Sequence, residues 1–216
     1  MKKLLFLMLL AAASINAWSQ DAPVFTEEDQ KETGLNGDQL MKVYVFGDYS
    51  FKVLTQTGDS IELPYEDYAS KTKSGLLGSI PLPGTEVFDK TKMYYVVKNP
   101  ASPVTLPAGN ITMILTVPEK FGLIADKKDG HEIYYDRILH CMSVLKFDVK
   151  KKKRECLYSV VKGLKPNSYE RQTNDAIQID YDKIDTTHYR ITFRHAAPGQ
   201  YGILFHQTSM FTFGVK

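Results

Sequence analysis

The sequence predicts an all-β fold, an antiparallel β-sandwich that is immunoglobulin-like in its C-terminal half and built from two β units. Three observations carry this. Short segments of alternating apolar and polar residues recur along the chain and stop at glycine, proline or asparagine, the two-residue period of half-buried strands closed by turns. Such segments are numerous enough to build a sandwich or barrel. Near the C-terminus, "PGQY" at residues 198–201 sets a tyrosine directly after a proline-glycine turn, as in the tyrosine corner of immunoglobulin-type sandwiches.

The opening residues are set aside first. "MKKLLFLMLLAAASINAWSQ" has a basic start at Lys2 and Lys3, an apolar run over residues 4–13 and a small-x-small end at Ala17-Trp18-Ser19. This is the pattern of a secretory signal peptide, with cleavage expected after Ser19 and Gln20 as the first mature residue. No cysteine stands at the junction to take a lipid anchor, and the run is about half of the ~20 apolar residues that a membrane-spanning helix needs. The expected product is exported to the periplasm or cell surface and is not transmembrane. Oxidation of Cys141 and Cys156 is permitted there. A chain reversal at Lys151-Lys152 puts the two out of register and a turn at Asp148-Val149 aligns them, so both the bonded and the free forms stay open. The expected organisation is a signal peptide over 1–19, an N-terminal linker over 20–38, an N-terminal β unit over 39–100 and a C-terminal β-sandwich unit over 101–216.

Residues 43–46 alternate and stop at Gly47-Asp48, 51–54 stop at Thr57-Gly58-Asp59, and 61–63 stop at Pro64, which predicts two hairpins. Residues 65–89 are less periodic, and "GLLGSIPLPGTEVFD" predicts a loop or a sheet-edge excursion. A strand resumes at 93–97. "NPASPVTLPAG", residues 99–109, reads as the boundary between the two units because prolines interrupt it throughout. Beyond it, strands are expected at 111–117, 143–149, 157–161, 176–179, 189–193, 201–205 and 211–215.

"HAAPGQYGILFH", residues 195–206, is the best defined of the turns. Before it, Tyr189, Ile191 and Phe193 alternate with Arg190, Thr192 and Arg194, giving one apolar and one basic face. Pro198 presets its own φ and Gly199 accepts a positive one, so a tight hairpin turn is expected, with the Tyr201 hydroxyl bonding back to the corner. A G-x-x-G nucleic-acid clamp from Gly199 to Gly202 requires flanking helices, which these neighbours deny. No nucleic-acid partner is expected. "GLKPNSYE", residues 163–170, repeats the same grammar with Tyr169.

Catalytic and metal motifs come out negative. His131-Glu132 begins like a zinc-protease helix, but the second histidine is replaced by Tyr135. His195 and His206 meet only if the final hairpin brings them together, and two ligands do not make a metal site. No serine lies in a G-x-S-x-G elbow. Asp126 and Asp129 flank two lysines that oppose calcium. No cofactor and no catalytic residue are assigned. The remaining outward chemistry is the run Lys150, Lys151, Lys152, Lys153 and Arg154, on a short connection between strands. Five consecutive cations repel one another and are expected to be solvated together, either blunting a sheet edge or contacting an anionic surface weakly. Tyr134, Tyr135, Tyr65 and Tyr68 are candidates for a carbohydrate surface.

In motif order, "LKFDVKKKKRE", "HYRITF", the P-G-x-Y-G-I corner and the terminal "FTFGVK" resemble exported all-β proteins of the Bacteroidetes, over the chain from Ser102 onward. The resemblance implies an envelope address and brings no catalytic or binding residues with it. The family pattern carries an acidic residue where this chain has Gln200. Asp59-Ser60-Ile61 and Asp185-Thr186-Thr187 also resemble that phylum's O-glycosylation pattern. The leading expectation is a non-enzymatic interaction or structural module of the bacterial envelope, whose partner is an unidentified envelope protein or glycan. The alternative is an envelope carbohydrate-active enzyme or carbohydrate-binding module. An outer-membrane barrel ranks third, since Arg190 and Arg194 interrupt the outward apolar band it needs.

Overall fold

The computed structural model describes residues 23–55, 58–73, 90–127, 137–140, 142–162, 169–171, 178–206 and 209–216. Strand outweighs helix by 54% to 16%, so the all-β expectation holds. In chain order the elements are α1 (Glu27–Thr33), α2 (Gly37–Phe46), β1 (Ser50–Leu54), β2 (Ser60–Glu62), β3 (Tyr68–Lys73), β4 (Lys90–Val97), β5 (Thr105–Leu106), β6 (Gly109–Thr116), α3 (Glu119–Gly122), α4 (Arg137–His140), β7 (Met142–Lys150), β8 (Lys153–Lys162), β9 (Tyr169–Arg171), β10 (Gln178–Lys183), β11 (His188–Ala196), β12 (Gly199–Phe205) and β13 (Ser209–Val215).

The N-terminal expectation is corrected. Residues 27–46, expected as part of a linker and a first strand, form two helices. In α1 the Thr26 hydroxyl accepts the Asp29 N–H while the Asp29 carboxylate accepts the Thr26 N–H, and Gly34 closes the helix at φ +70°. Asn36 and Gln39 open α2 in the same reciprocal way. Four alternating residues at 43–46 cannot separate a strand from a helical turn. The capping box and the four-residue spacing of buried Leu40 and Tyr44 decide for helix.

The strands form two sheets. The smaller has the order β10-β11-β6-β1-β2 and the larger β3-β4-β8-β7-β12-β13-β5, with β9 against β8. Among the described residues only the β13–β5 pair is parallel, and no barrel closes. The expected division at residue 100 does not appear in this topology. β1 pairs with β6, with Phe51 opposite Leu115, and β4 pairs with β8, with Val97 opposite Arg154. Each sheet therefore mixes strands from both expected units. The prolines of residues 99–109 instead carry the chain out of the larger sheet, through the short edge strand β5, into β6 of the smaller one.

A second correction concerns residues 196–199. They join β11 of the smaller sheet to β12 of the larger, so this is an inter-sheet corner and not a hairpin. The alternation on either side is that of two strands, but alternation does not say which sheet a strand enters.

The main core lies between the sheets. Phe51, Met113, Leu115, Tyr189, Ile191 and Phe193 of the smaller sheet meet Ile203, Phe205 and Phe213 of the larger, with Leu40, Tyr44 and Phe121 of the helices in the same cluster. Burial at about 1.5–3 kcal/mol per large side chain makes this the dominant stabilising term. A second cluster, Val97, Leu145, Phe147, Cys156, Leu204 and Met210, occupies the other face of the larger sheet. Gly202 makes room for it, since a Cβ there would lie 2.6 Å from the Met210 sulfur and 2.7 Å from the Phe147 ring. At the β13 edge the Thr212 N–H donates to the Pro64 carbonyl at 3.2 Å and the Glu66 N–H to the Met210 carbonyl at 2.9 Å. The chain then enters β3 at the opposite edge.

Candidate functional site

The lysine run is a two-residue hairpin. Lys150 and Lys153 are opposite each other at the end of the β7–β8 ladder, with Lys151 and Lys152 as the turn. Lys150, Lys151 and Lys152 are exposed and Lys153 is half-buried. Like charges on one rung are unfavourable, and part of that cost is offset by Glu155. Its buried carboxylate lies 2.7 Å from the Lys153 ammonium and 3.3 Å from that of Lys73. The Lys153 hydrogen bond, with Lys73 assisting and burial opposing, holds Glu155 below the usual carboxylate range.

Arg154 is the correction within this run. The sequence expectation has it projecting with the lysines, and instead it is 0% exposed. Strand alternation gives the reason: the ladder turns residue 154 to the face opposite Lys153 and Glu155, where Phe147 and Cys156 lie. There the guanidinium hydrogen bonds to the Glu66 carboxylate, to the Gln200 side-chain carbonyl at 3.1 Å and to the Thr212 hydroxyl at 3.3 Å. Ser102 completes the network, its N–H donating to Gln200 Oε1 at 2.8 Å and its hydroxyl to the Thr212 carbonyl at 3.1 Å. A buried charge requires partners of this kind.

The hairpin gains another lysine in return. Val97 is the rung partner of Arg154, so the exposed Lys98 leaves β4 beside Lys153. No local sequence signal marks Lys98, because its position follows from the β4–β8 register. The segment leading into β3 brings carboxylates to Lys98: the exposed Asp67 precedes Tyr68, the rung partner of Val97, and Glu66 accepts from the Asn99 side chain at 3.3 Å. The other adjoining loops, residues 98–110, 149–153 and 195–200, contain no aspartate or glutamate. Their proximity is fixed by the Ser102 to Gln200 bond, by the Gly109 and Ala196 pair and by the bond from the His195 N–H to the Asn110 side chain at 3.1 Å. One end of the sandwich thus presents Lys98, Lys150, Lys151, Lys152 and Lys153, with Asp67 beside Lys98 and the hairpin carboxylates, Asp148 and Glu155, a rung or two back.

The corner residues stand where the sequence placed them. The Tyr201 hydroxyl donates to the Ala197 carbonyl at 2.8 Å, and its ring stacks on Phe213 at 5.4 Å. Gly199 has φ +157°, and a Cβ there would lie 3.0 Å from the Lys146 side chain. Pro198 is exposed at the apex. His195 lies at the end of β11 in the smaller sheet, and His206 follows β12 of the larger sheet, whose seven residues extend over about 23 Å. His206 is buried among aromatic rings, 3.9 Å from Tyr44 and 4.2 Å from Phe205 between centroids.

Cys156 is a buried free thiol whose pKa burial pushes up to about 11, with Asp148 adding to the shift. The hairpin register sets it across from Phe147. Cys141, the His131-Glu132 motif, Tyr134, Tyr135, Asp129 and residues 163–168 lie outside the described residues. Tyr65 packs edge-on against Phe211, while Tyr68 packs edge-on against Tyr95 and Tyr95 stacks on Tyr158 at 3.9 Å. Asp185 is held at about 2 by the Thr187 N–H and the His188 ring. Burial raises Asp29, but hydrogen bonds from Arg137 and Thr26 outweigh it and hold the carboxyl at about 2. None of Asp29, Glu155 and Asp185 is kept protonated near neutrality, as the general acid of a glycosidase must be.

Among the described residues no cluster of three or more histidine, cysteine, aspartate or glutamate side chains is arranged to hold a metal, and no helix is long and apolar enough to cross a membrane. Comparison of the chain with protein-family models, curated proteins and solved structures finds no match.

Proposed function

We propose that the protein is an exported, non-enzymatic interaction module of the bacterial envelope, and that it meets its partner through the lysine-rich end of the sandwich. The observation that carries this is the separation of charges at the hairpin. Arg154 is withdrawn into a buried network with Glu66, while Lys150, Lys151, Lys152 and Lys153 form a turn without a carboxylate and Lys98 stands beside it on the next strand, with Asp67 as its neighbour. Charges on neighbouring rungs and strands stand about 5–10 Å apart, comparable with the Debye length of about 8 Å at physiological salt, and act together on an anion. The signal-peptide pattern of residues 1–19 and the C-terminal resemblance to Bacteroidetes envelope proteins support the address.

Fractionation of the native host tests the reading. The parent is expected in the envelope fraction and to wash off at high salt. A variant with the five lysines changed to glutamine is expected in the soluble exported fraction. Recovery of the parent from the cytoplasm, or identical fractionation of both forms, refutes the proposal.

A further inference from the structure

Val149 is 55% exposed, although it stands in a ladder one residue before the lysines and its rung partner, Arg154, is fully buried. A solvated hairpin tip needs no valine, and a soluble polyanion has nothing apolar to offer one. The neighbouring loops repeat the combination: Pro100, Ala101, Ala197 and Pro198 are all exposed, in segments free of aspartate and glutamate. A surface that joins small apolar side chains to lysines matches one environment, the headgroup layer of an anionic bilayer. There phosphates meet the ammonium groups, the aliphatic lysine stems lie along the apolar boundary and a shallow apolar side chain reaches past the headgroups. The tip is also ordered before contact, since the two-residue turn is fixed by the Lys150–Lys153 rung and by the Glu155 ion pair to Lys153. Little conformational freedom remains to be lost on docking.

We infer that this end of the sandwich is a membrane-contact tip that rests on phosphate-bearing lipid headgroups with the Val149 side chain at the acyl boundary. The inference rests on the reading of this end as the interaction surface and names its partner. Contact of this depth is peripheral and reversible by salt.

The test uses the purified exported chain, residues 20–216, with vesicles of phosphatidylcholine alone or with roughly one-third phosphatidylglycerol, and soluble polyphosphate as an anion without an apolar phase. Val149→Trp, the one tryptophan in a chain that begins at Gln20, should give a blue-shifted emission with anionic vesicles and none with neutral vesicles or polyphosphate. Changing Lys150, Lys151, Lys152 and Lys153 to glutamine should lower vesicle partitioning more than about 100-fold at low salt, at about fivefold per lysine. Val149→Ser should lower vesicle partitioning severalfold and leave polyphosphate binding unchanged. Cooperative thermal unfolding of each variant establishes that it is folded, with a lower midpoint expected where Lys153→Gln removes the partner of Glu155. Binding to polyphosphate without binding to anionic vesicles, or vesicle binding with no shift at the introduced tryptophan, overturns the lipid assignment and leaves the basic surface standing. Binding to neither overturns both.

Discussion

Arg154 and Glu66 form an ion pair across 88 positions of the sequence, joining the start of β8 to the segment that leads into β3. The pair ties the lysine hairpin to the opposite edge of the larger sheet, and the Thr212 hydroxyl bonds to the same Glu66 oxygen. Removing one partner leaves the other buried without its counter-charge. Arg154→Leu should therefore lower stability by about 3 kcal/mol, and adding Glu66→Leu should recover part of the loss. Lys151→Gln, on the exposed turn, should change stability by less than about 0.5 kcal/mol. Urea unfolding of the three variants checks this. Equal midpoints for Arg154→Leu and Lys151→Gln contradict the buried assignment.

A second buried pair sets the acid limit of the fold. Arg137 donates to both oxygens of Asp29, at 3.1 and 2.7 Å, and both side chains are 1% exposed. The folded carboxyl titrates at about 2, below an unfolded value of about 3.9. Its contribution is thus fully present above about pH 5 and is lost progressively as the pH falls toward about 1, about 2.6 kcal/mol in all. Asp29→Asn should be less stable than the parent at neutral pH, and the gap should narrow by that amount in strong acid. A gap independent of pH, measured by thermal unfolding, rules out the linkage.

The inter-sheet corner yields a ranked pair of substitutions. Tyr201→Phe removes the bond to the Ala197 carbonyl and should cost about 1 kcal/mol. Gly199→Val meets both the φ of +157° and the Lys146 side chain, and should cost more, about 2–3 kcal/mol. Denaturant midpoints in the reverse order would remove Gly199 as a conformational requirement.

Cys156 provides a probe of the second core. With a pKa of about 11 and 6% exposure, little thiolate forms in mildly alkaline buffer and reagent access is poor. In a Cys141→Ser background the folded chain should resist a thiol-specific reagent over hours and react within minutes in denaturant. Fast native reaction would show that the cover formed by residues 64–68 and the larger sheet opens readily.

The parts of this molecule that are legible in the sequence are those decided by neighbours. The strands 111–117, 189–193 and 211–215 alternate over several residues, and the Pro198-Gly199-Tyr201 corner is a local device, so each is readable. Residues 43–46 are not, because so short a run satisfies two periods at once and the deciding cap at Asn36 lies upstream. The burial of Arg154 depends on strand parity after a turn whose centre the sequence leaves open. The roles of Lys98 and Glu66 depend on partners in β8, more than fifty residues away. Pairing across sheets leaves no local trace, which is also why the two-unit division at residue 100 does not survive.

The most direct measurement counts which cations face outward. Single variants Lys98→Gln, Lys151→Gln and Arg154→Met are passed over a phosphate-bearing cation exchanger, and the salt concentration at elution is compared with the parent's. The five-lysine surface predicts that Lys98→Gln and Lys151→Gln both elute earlier, by similar amounts, while folded Arg154→Met elutes with the parent. If Lys98→Gln elutes with the parent and Arg154→Met elutes early, the exposed surface is the linear run of five cations, and the buried Arg154 and outward Lys98 are both contradicted.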